Sequence, residues 1–284
     1  MDELFVLDTV PPLLDEIHDP PKKMYGRGSV PTAPELKWLT VVGSRACTSY
    51  GRQAVRHLIA GLRGQPIVIV SGLAYGIDAE AHRAALDAGL TCVGIPGSGL
   101  DWSVLYPKAN INLAREILER GGALLSEFEP AQRAADYTFP KRDRIMAGIA
   151  HATLVIEAKE KSGTLITARM AVEYNRELLV VPGSIFSAES AGVHQFLKLG
   201  ATPATEPADI LKVLGLEPRT SLAATLREDL SPQEVQVLSI IASPCSRDEL
   251  IEALALPTAE TNMLLSLMEI KGLVVEEFGV VRAA

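Results

Sequence analysis

Leu39-Thr40-Val41-Val42-Gly43-Ser44-Arg45 decides the fold of this chain: a short β-branched run passes directly into a small-residue turn that ends on a cation. Runs of this kind recur at 39–42, 67–70, 91–95, 123–125, 153–156 and 178–181, alternating with helical stretches and apolar on both faces. A strand that is apolar on both faces needs cover on both sides, which a mostly parallel sheet wound with helices provides. Glycine or serine follows most runs, at Gly43-Ser44, Ser71-Gly72, Pro96-Gly97-Ser98-Gly99, Ser126 and Pro182-Gly183-Ser184. In an open α/β sheet these turns collect at the carboxyl edge of the strands, where ligands bind. The expected architecture is therefore an α/β domain on a mostly parallel sheet over residues 36–216.

On either side the pattern changes. Residues 1–35 are punctuated by Pro11, Pro12, Pro20, Pro21, Pro31 and Pro34, hold few apolar positions in register, and read as a lead-in and not as a domain. A polar linker at 217–228 separates the sheet from a second block at 229–284. There Ser231-Pro232-Gln233-Glu234 and Ser246-Arg247-Asp248-Glu249 are capping boxes, each opening a short amphipathic helix. A third helix is expected from Pro257 to Gly272, followed by a hairpin of 273–276 and 280–282 joined through Phe278-Gly279. Three helices and a hairpin are the order of a winged helix-turn-helix. From Arg219 onward this block carries five basic residues against ten acids, a net charge of −5, and its third helix offers Glu260 and Glu269 against Lys271 alone. The module is expected to contact protein and not duplex DNA.

With 284 residues, 48% of them hydrophobic, the chain has material for one large domain and a small appendage. Cys47, Cys92 and Cys245 are far apart and lack CxxC spacing, so neither a disulfide framework nor a zinc site is suggested and a reducing compartment is expected. No apolar run approaches the ~18 residues that span a bilayer, and Met1-Asp2-Glu3 is acidic where a signal peptide is basic. These features lead us to expect a soluble cytoplasmic protein with no membrane partner. Its formal net charge of −8 means that any nucleic-acid binding must use a local cationic patch against a repulsive background.

One such patch is Phe139-Pro140-Lys141-Arg142-Asp143-Arg144, with three cations in four consecutive positions. If Pro140 opens a helix, Lys141 and Arg142 fall in the first turn, where the macrodipole disfavours cations by about 0.3–1 kcal/mol each. Helix stability does not explain them; a solvated charged face or a phosphate cradle does. Gly43-Ser44-Arg45 has the form of a phosphate-binding turn but lacks the GxGxxG spacing and the Walker lysine, so neither a dinucleotide nor an ATP site follows from it. Ser162-Gly163-Thr164, ahead of a helix over 165–175, can accept an anion or simply cap that helix. Asp78 and His82, four apart, share a helix face; we assign them structural roles, Asp78 capping the helix and His82 orienting a loop, because no third metal ligand accompanies them. No nucleophile elbow is present, so the case for catalysis is thin. No cofactor is expected.

Taken together the turns resemble one family, the bacterial DNA-processing proteins DprA (Smf), recombination mediators of natural transformation. The resemblance rests on Gly43-Ser44-Arg45 with Tyr50-Gly51, Ser71-Gly72-Leu73-Ala74-Tyr75-Gly76-Ile77-Asp78 with Ala81-His82, Tyr106-Pro107, Ser126-Glu127, Phe139-Pro140-Lys141-Arg142-Asp143-Arg144 with Ala147-Gly148, Glu157 with Ser162-Gly163-Thr164 and Thr167-Ala168, and Val181-Pro182-Gly183. It covers roughly residues 17–215. It implies a doubly wound Rossmann-like domain that binds single-stranded DNA, forms a homodimer and helps load RecA, with no established catalytic activity. Carried over by motif, Arg45, Lys141, Arg142 and Arg144 line a positively charged pocket, and Gly43, Ser44, Ser162, Gly163 and Thr164 add neutral donors to phosphate. Phe139 offers a stacking face to a base, an inference from chemistry. Two positions depart from the family pattern: Asp143 and His194 each stand where asparagine is usual. Many relatives carry a small helical domain ahead of the Rossmann-like one, and the stretch 14–26 resembles the connector that follows it, so the chain is expected to be truncated or naturally short. The other reading is a nucleotide-processing enzyme of the nucleotide phosphoribohydrolase type, of whose Pro-Gly-Gly-x-Gly-Thr-x-x-Glu run Pro182-Gly183-Ser184 and Ser162-Gly163-Thr164 supply only fragments.

Overall fold

A computed structural model describes residues 3–217, 230–241, 245–254, 256–271, 273–277 and 279–283. The chain forms two units, Met1–Arg219 and Thr220–Ala284.

In the first unit nine strands form one sheet: β1 (Leu4–Val6), β2 (Tyr25–Gly28), β3 (Lys37–Val42), β4 (Ile67–Ser71), β5 (Thr91–Gly94), β6 (Ala123–Ser126), β7 (Ala152–Val155), β8 (Glu177–Val180) and β9 (Thr202–Pro203). Their spatial order is β1-β2-β6-β5-β4-β3-β7-β8-β9. β2 runs antiparallel to β1 and β6, and every other neighbouring pair is parallel. From β3 the chain steps outward through β4, β5 and β6, then returns to the opposite side of β3 with β7. The order therefore reverses between β3 and β7, the switch point at which such sheets bind ligands.

The two-faced apolar runs are explained by two separate cores. Leu39 and Val41 of β3 and Ile67 and Ile69 of β4 face one; Trp38, Val42, Val68 and Val70 face the other. Onto the first face pack α2 (Ser49–Ala60), α3 (Ile77–Asp87), α4 (Ile111–Glu119) and α8 (Pro207–Val213), through residues such as Val55, Ile77, Ile117 and Ile210. The second face takes α1 (Pro12–Asp15), α5 (Thr138–Ile149), α6 (Thr164–Glu173) and α7 (Ala191–Lys198), through Leu14, Ile145, Leu165 and Phe196. Helices thus cover both sides, as the runs require.

Two local expectations are corrected, and one strand was not anticipated. The lead-in segment is built into the domain: it supplies β1 and β2, and Leu14, Ile17, Met24 and Tyr25 are buried. Tyr25-Gly26-Arg27-Gly28 has no strand composition, but Gly26 is where the Phe5 ring passes so close that a Cβ would lie 2.6 Å from it. β9, two residues long, carries too little pattern to be read. Lastly, α5 begins at Thr138, whose hydroxyl accepts from the Ala135 N–H at 3.0 Å and reaches the Gly97 carbonyl at 2.6 Å. Pro140 is then the third helical residue, still among the positions whose N–H has no intrahelical partner, and Lys141 and Arg142 lie beyond the first three positions.

The second unit contains α9 (Pro232–Ile240), β10 (Cys245–Ser246), α10 (Arg247–Leu254), α11 (Thr258–Ile270), β11 (Val274–Glu277) and β12 (Val280–Ala283). Ser231 and Glu234 form the reciprocal cap expected, as do Ser246 and Glu249. The hairpin is present, and β10 adds an antiparallel strand against β12 that the sequence reading did not include. Val237, Leu250, Leu254, Leu265, Met268, Val274 and Val281 give the unit its own core. The linker assigned to 217–228, apart from Glu217, and the expected turn residues Gly272 and Phe278 lie outside the described residues. Among those described, no helix is long and apolar enough to cross a membrane.

Candidate nucleic-acid interface

The turn after β3 is shaped by its neighbours. A Cβ on Gly43 would meet Ile77 at 2.6 Å, so the start of α3 packs directly on the backbone. Ser44 Oγ accepts from the Ala46 N–H at 3.2 Å and the Ser44 carbonyl accepts from the Ile77 N–H at 3.1 Å, leaving Arg45 exposed at the apex. Farther on, the buried carboxylate of Glu157 clamps the loop: it accepts the Thr48 N–H at 2.9 Å and the Thr48 hydroxyl at 2.5 Å. Thr48 in turn caps α2. From the other side, the Thr164 hydroxyl donates to the Gly43 carbonyl at 3.1 Å and joins the start of α6 to this turn. Ser162 Oγ accepts the Thr164 N–H at 3.2 Å and lies 3.0 Å from the Thr164 hydroxyl, so both side chains brace the loop.

A cavity of about 600 Å³ opens at this edge. Eight of the ten residues expected at the site lie on its wall: Gly43, Ser44, Arg45, Phe139, Arg142, Ser162, Gly163 and Thr164. Lys141 and Arg144 do not. Successive helical residues point about 100° apart, so neighbouring cations cannot share a direction. Lys141 is exposed with Nζ 5.9 Å from the Tyr137 ring centre. Arg144 turns away from the cavity, pairs with Glu127 and Asp19, donates to the Asp19 carbonyl at 2.8 Å, and so ties α5 to the lead-in segment. Burial raises the Glu127 carboxyl above its ordinary pKa, against the opposing pull of Arg144.

The sequence reading missed Lys159 and Lys161, which also line the cavity, in the loop between β7 and α6. Their signal was present as an alternating Lys-Glu-Lys just ahead of Ser162-Gly163-Thr164. Lys159 is paired with Glu189 at 3.1 Å, and Lys161 is exposed.

Arg142 is in the wall, yet only 5% exposed. Its Nη1 donates to the Ile95 carbonyl at 3.0 Å and lies 3.9 Å from Asp78, while Nε is 3.1 Å from Asp143. A Cβ on Gly72 would be 1.4 Å from Nη1, so glycine there makes room for the guanidinium. Asp78 accepts the Gly72 N–H at 3.1 Å; it braces this loop and does not cap α3, whose N-cap is Gly76 and which has no side-chain cap. Burial pushes the Asp143 carboxyl up to about 6, against the opposing pull of Arg142. It also raises Asp78, against Arg142 and the backbone donors of Ala74 and Gly72. Two acids flank one cation, so the floor is not a source of positive potential. That potential comes chiefly from Arg45 and Lys161, since Lys159 is paired with Glu189 and Asp136 also lines the cavity.

Phe139 is half-buried. The Arg45 guanidinium lies 4.9 Å from its ring centre and the Tyr106 ring 6.1 Å away, which brings the Gly43-Ser44-Arg45 turn against the start of α5. His82 is fully buried, and burial pushes its pKa down to about 4, opposed by the Ser71 backbone, so the ring is neutral at ordinary pH. Among the described residues no three His, Cys, Asp or Glu side chains gather as a metal site. His194 Nε2 lies 3.1 Å from the Gly183 carbonyl.

Comparison with known proteins bears on this arrangement. Residues 5–215 match the family model of DNA recombination-mediator protein A, and 221–279 match that of the DprA winged helix domain. The chain is 41% identical over 204 residues to DNA processing protein DprA of Streptococcus pneumoniae, covering 72% of this chain and 71% of that protein. It is 40% identical over 204 residues to Protein Smf of Escherichia coli, where the match spans 72% of this chain and 54% of the relative. The crystal structure of the S. pneumoniae protein superposes with a TM-score of 0.67 at 37% identity, over 74% of each chain. DNA processing protein A of Helicobacter pylori superposes with a TM-score of 0.66 at 27% identity, over 81% of this chain and 98% of that one.

Proposed function

Because the chain belongs to the DNA recombination-mediator protein A family, we propose that it binds single-stranded DNA in the cavity at the carboxyl edge of its parallel sheet. In this reading it shelters the incoming strand in natural transformation, helps load RecA onto it, works as a homodimer in the cytoplasm and catalyses no reaction. The observation that carries it is the cavity wall: Arg45, Lys159 and Lys161 share it with Phe139, whose ring lies 6.1 Å from that of Tyr106, on a chain whose formal net charge is −8. Cations beside aromatic faces are the sequence-tolerant means of holding a single strand. The H. pylori relative, described for its unique single-stranded DNA binding mode, supports the ligand class.

A salt titration of binding to single-stranded and duplex oligonucleotides of equal length tests this. The single strand is expected to bind more tightly, with log affinity falling by about 0.7 per phosphate contact for each unit of log salt. Equal affinity for the two, or no salt slope, would sink the reading. In the same titration the isolated winged-helix unit is expected to leave duplex mobility unchanged. Of its cations, Arg247 pairs with Glu276 and also meets Asn262, and Lys271 pairs with Glu234 at 2.6 Å. Met263 and Leu267, four apart on α11 and both exposed, offer an apolar strip suited to a protein partner.

Asp143→Asn is expected to tighten single-strand binding at neutral pH by about 1 kcal/mol, roughly fivefold, by removing a negative charge from the cavity wall. Because the folded carboxyl titrates at about 6, the unsubstituted chain should bind more tightly as pH falls through that value. The variant should lose that part of the pH dependence. Acidification also favours folding through this group, since its folded pKa lies above its unfolded value. Parallel pH profiles for the two proteins would rule out the role of Asp143.

A further inference from the structure

A second concavity of about 430 Å³ shares Arg45 with the first and is walled by Arg52, Tyr75, Glu80, Arg83 and Asn110. Its charge is lopsided: three guanidiniums meet one carboxylate. Glu80 Oε2 is held by Arg56 at 2.7 and 3.0 Å, and Arg83 takes Oε1 at 3.0 Å. Arg56, itself exposed and outside the wall, shares the charge of Glu80, so the cations of the concavity outweigh its one acid. Arg52 is exposed and, among the described residues, meets only weak acceptors, the Cys47 carbonyl at 3.4 Å and its sulfur at 3.7 Å.

Tyr75, 45% exposed on the loop from β4 to α3, lines this concavity, while its neighbour Ala74 lines the cavity. The loop is held in a costly conformation: Leu73, which is not glycine, has φ +57°, and Gly76 has φ +72°. The buried Asn110 amide donates to the Leu73 carbonyl at 2.7 Å and to that of Ala74 at 3.1 Å. A Cβ on Gly76 would lie 2.2 Å from the Ser44 carbonyl, so the loop is seated on the Gly43-Ser44-Arg45 turn. The result is an aromatic ring displayed to solvent beside Arg45, where it also borders the Tyr106 and Phe139 rings.

We propose that Arg52 and Arg83 seat a second phosphate of the strand held at Arg45, with Tyr75 stacking a base between the two. The site rests on the single-strand reading above and extends it into a track, since cations on both sides of an aromatic ridge match the alternation of phosphates and bases in an extended strand. Glu80 tempers the site and sets its affinity.

The test uses the full chain and two oligonucleotides, one of about three nucleotides, confined to the first cavity, and one of about sixteen. Arg52→Ala/Arg83→Ala is expected to bind the long strand about tenfold more weakly, with a salt slope shallower by about 0.7 for the one lost phosphate contact, and to bind the short one unchanged. Tyr75→Ala should also weaken the long strand while Tyr75→Phe should not, and Glu80→Gln should tighten it. An unchanged long-strand affinity in the double variant, or an equal loss at both lengths, overturns the proposal. Arg45→Ala separates this from failure of the underlying reading. If Arg45→Ala binds both lengths as the unsubstituted chain does, the cavity is not the binding site and the track falls with it.

Discussion

Arg142→Ala is expected to lower the stability of the first unit by about 3–5 kcal/mol, read from the midpoint of urea unfolding at neutral pH. The side chain is 5% exposed and is the cation between Asp78 and Asp143, so its removal leaves two buried carboxyls without their counter-ion. Such groups respond by taking up protons. The loss should therefore shrink at mildly acidic pH, because the folded variant binds protons that the unfolded chain does not. Arg142→Ala/Asp143→Asn should recover part of the loss, by about 0.5–3 kcal/mol, as expected for residues in direct contact. A single variant less than 1 kcal/mol below the unsubstituted chain at neutral pH would show that the floor of the cavity does not depend on this pair.

Arg45→Ala should do the reverse. Arg45 is exposed, so stability should change by no more than about 0.5 kcal/mol. Single-strand binding should weaken by about 1–3 kcal/mol, roughly five- to 150-fold in the dissociation constant, because a charge-assisted contact is lost at the centre of the wall. Lys141→Ala should cost less, since Lys141 lies off the cavity beside Tyr137. Fluorescence anisotropy on the same oligonucleotide compares the two. If Arg45→Ala binds as well as the unsubstituted chain, the assigned wall is wrong; if Lys141→Ala costs more than Arg45→Ala, the strand runs over the outside of α5.

The two variants separate residues that the sequence alone presents as equivalent. Lys141, Arg142 and Arg144 stand within one cationic cluster and were expected to line one pocket. In the fold one is solvated, one is buried between acids on the cavity floor, and one fastens the lead-in segment through Asp19 and Glu127. Helical rotation distributes them, and burial converts two of the three into internal counter-ions. Charge pattern reports that cations are present without reporting which acids they will meet.

Asp78 shows the same limit. Its spacing from His82 is legible as one helix face, but its partners are Gly72 and Arg142, the second of them 64 positions along the chain. Lys159 and Lys161 were readable as residues and not as a wall, because their relation to Arg45 exists only once β7 lies beside β3.

The alternation of strands and helices, the position of each small-residue turn and the capped helices of the winged unit are legible in the amino-acid sequence. Each of these follows from local stereochemistry and from periodicity within a few residues: two-faced apolar runs, glycine where a backbone must pass close, serine and glutamate at a helix start. That residues 1–35 add two antiparallel strands to the edge of the sheet emerges from the folded chain alone. It alone showed that Arg45 meets Phe139 across the turn, and that the cluster quoted for its charge supplies a floor and a fastening in place of a cationic wall. Burial and the pairing of charges distant in sequence depend on where the chain returns, and no local pattern encodes that.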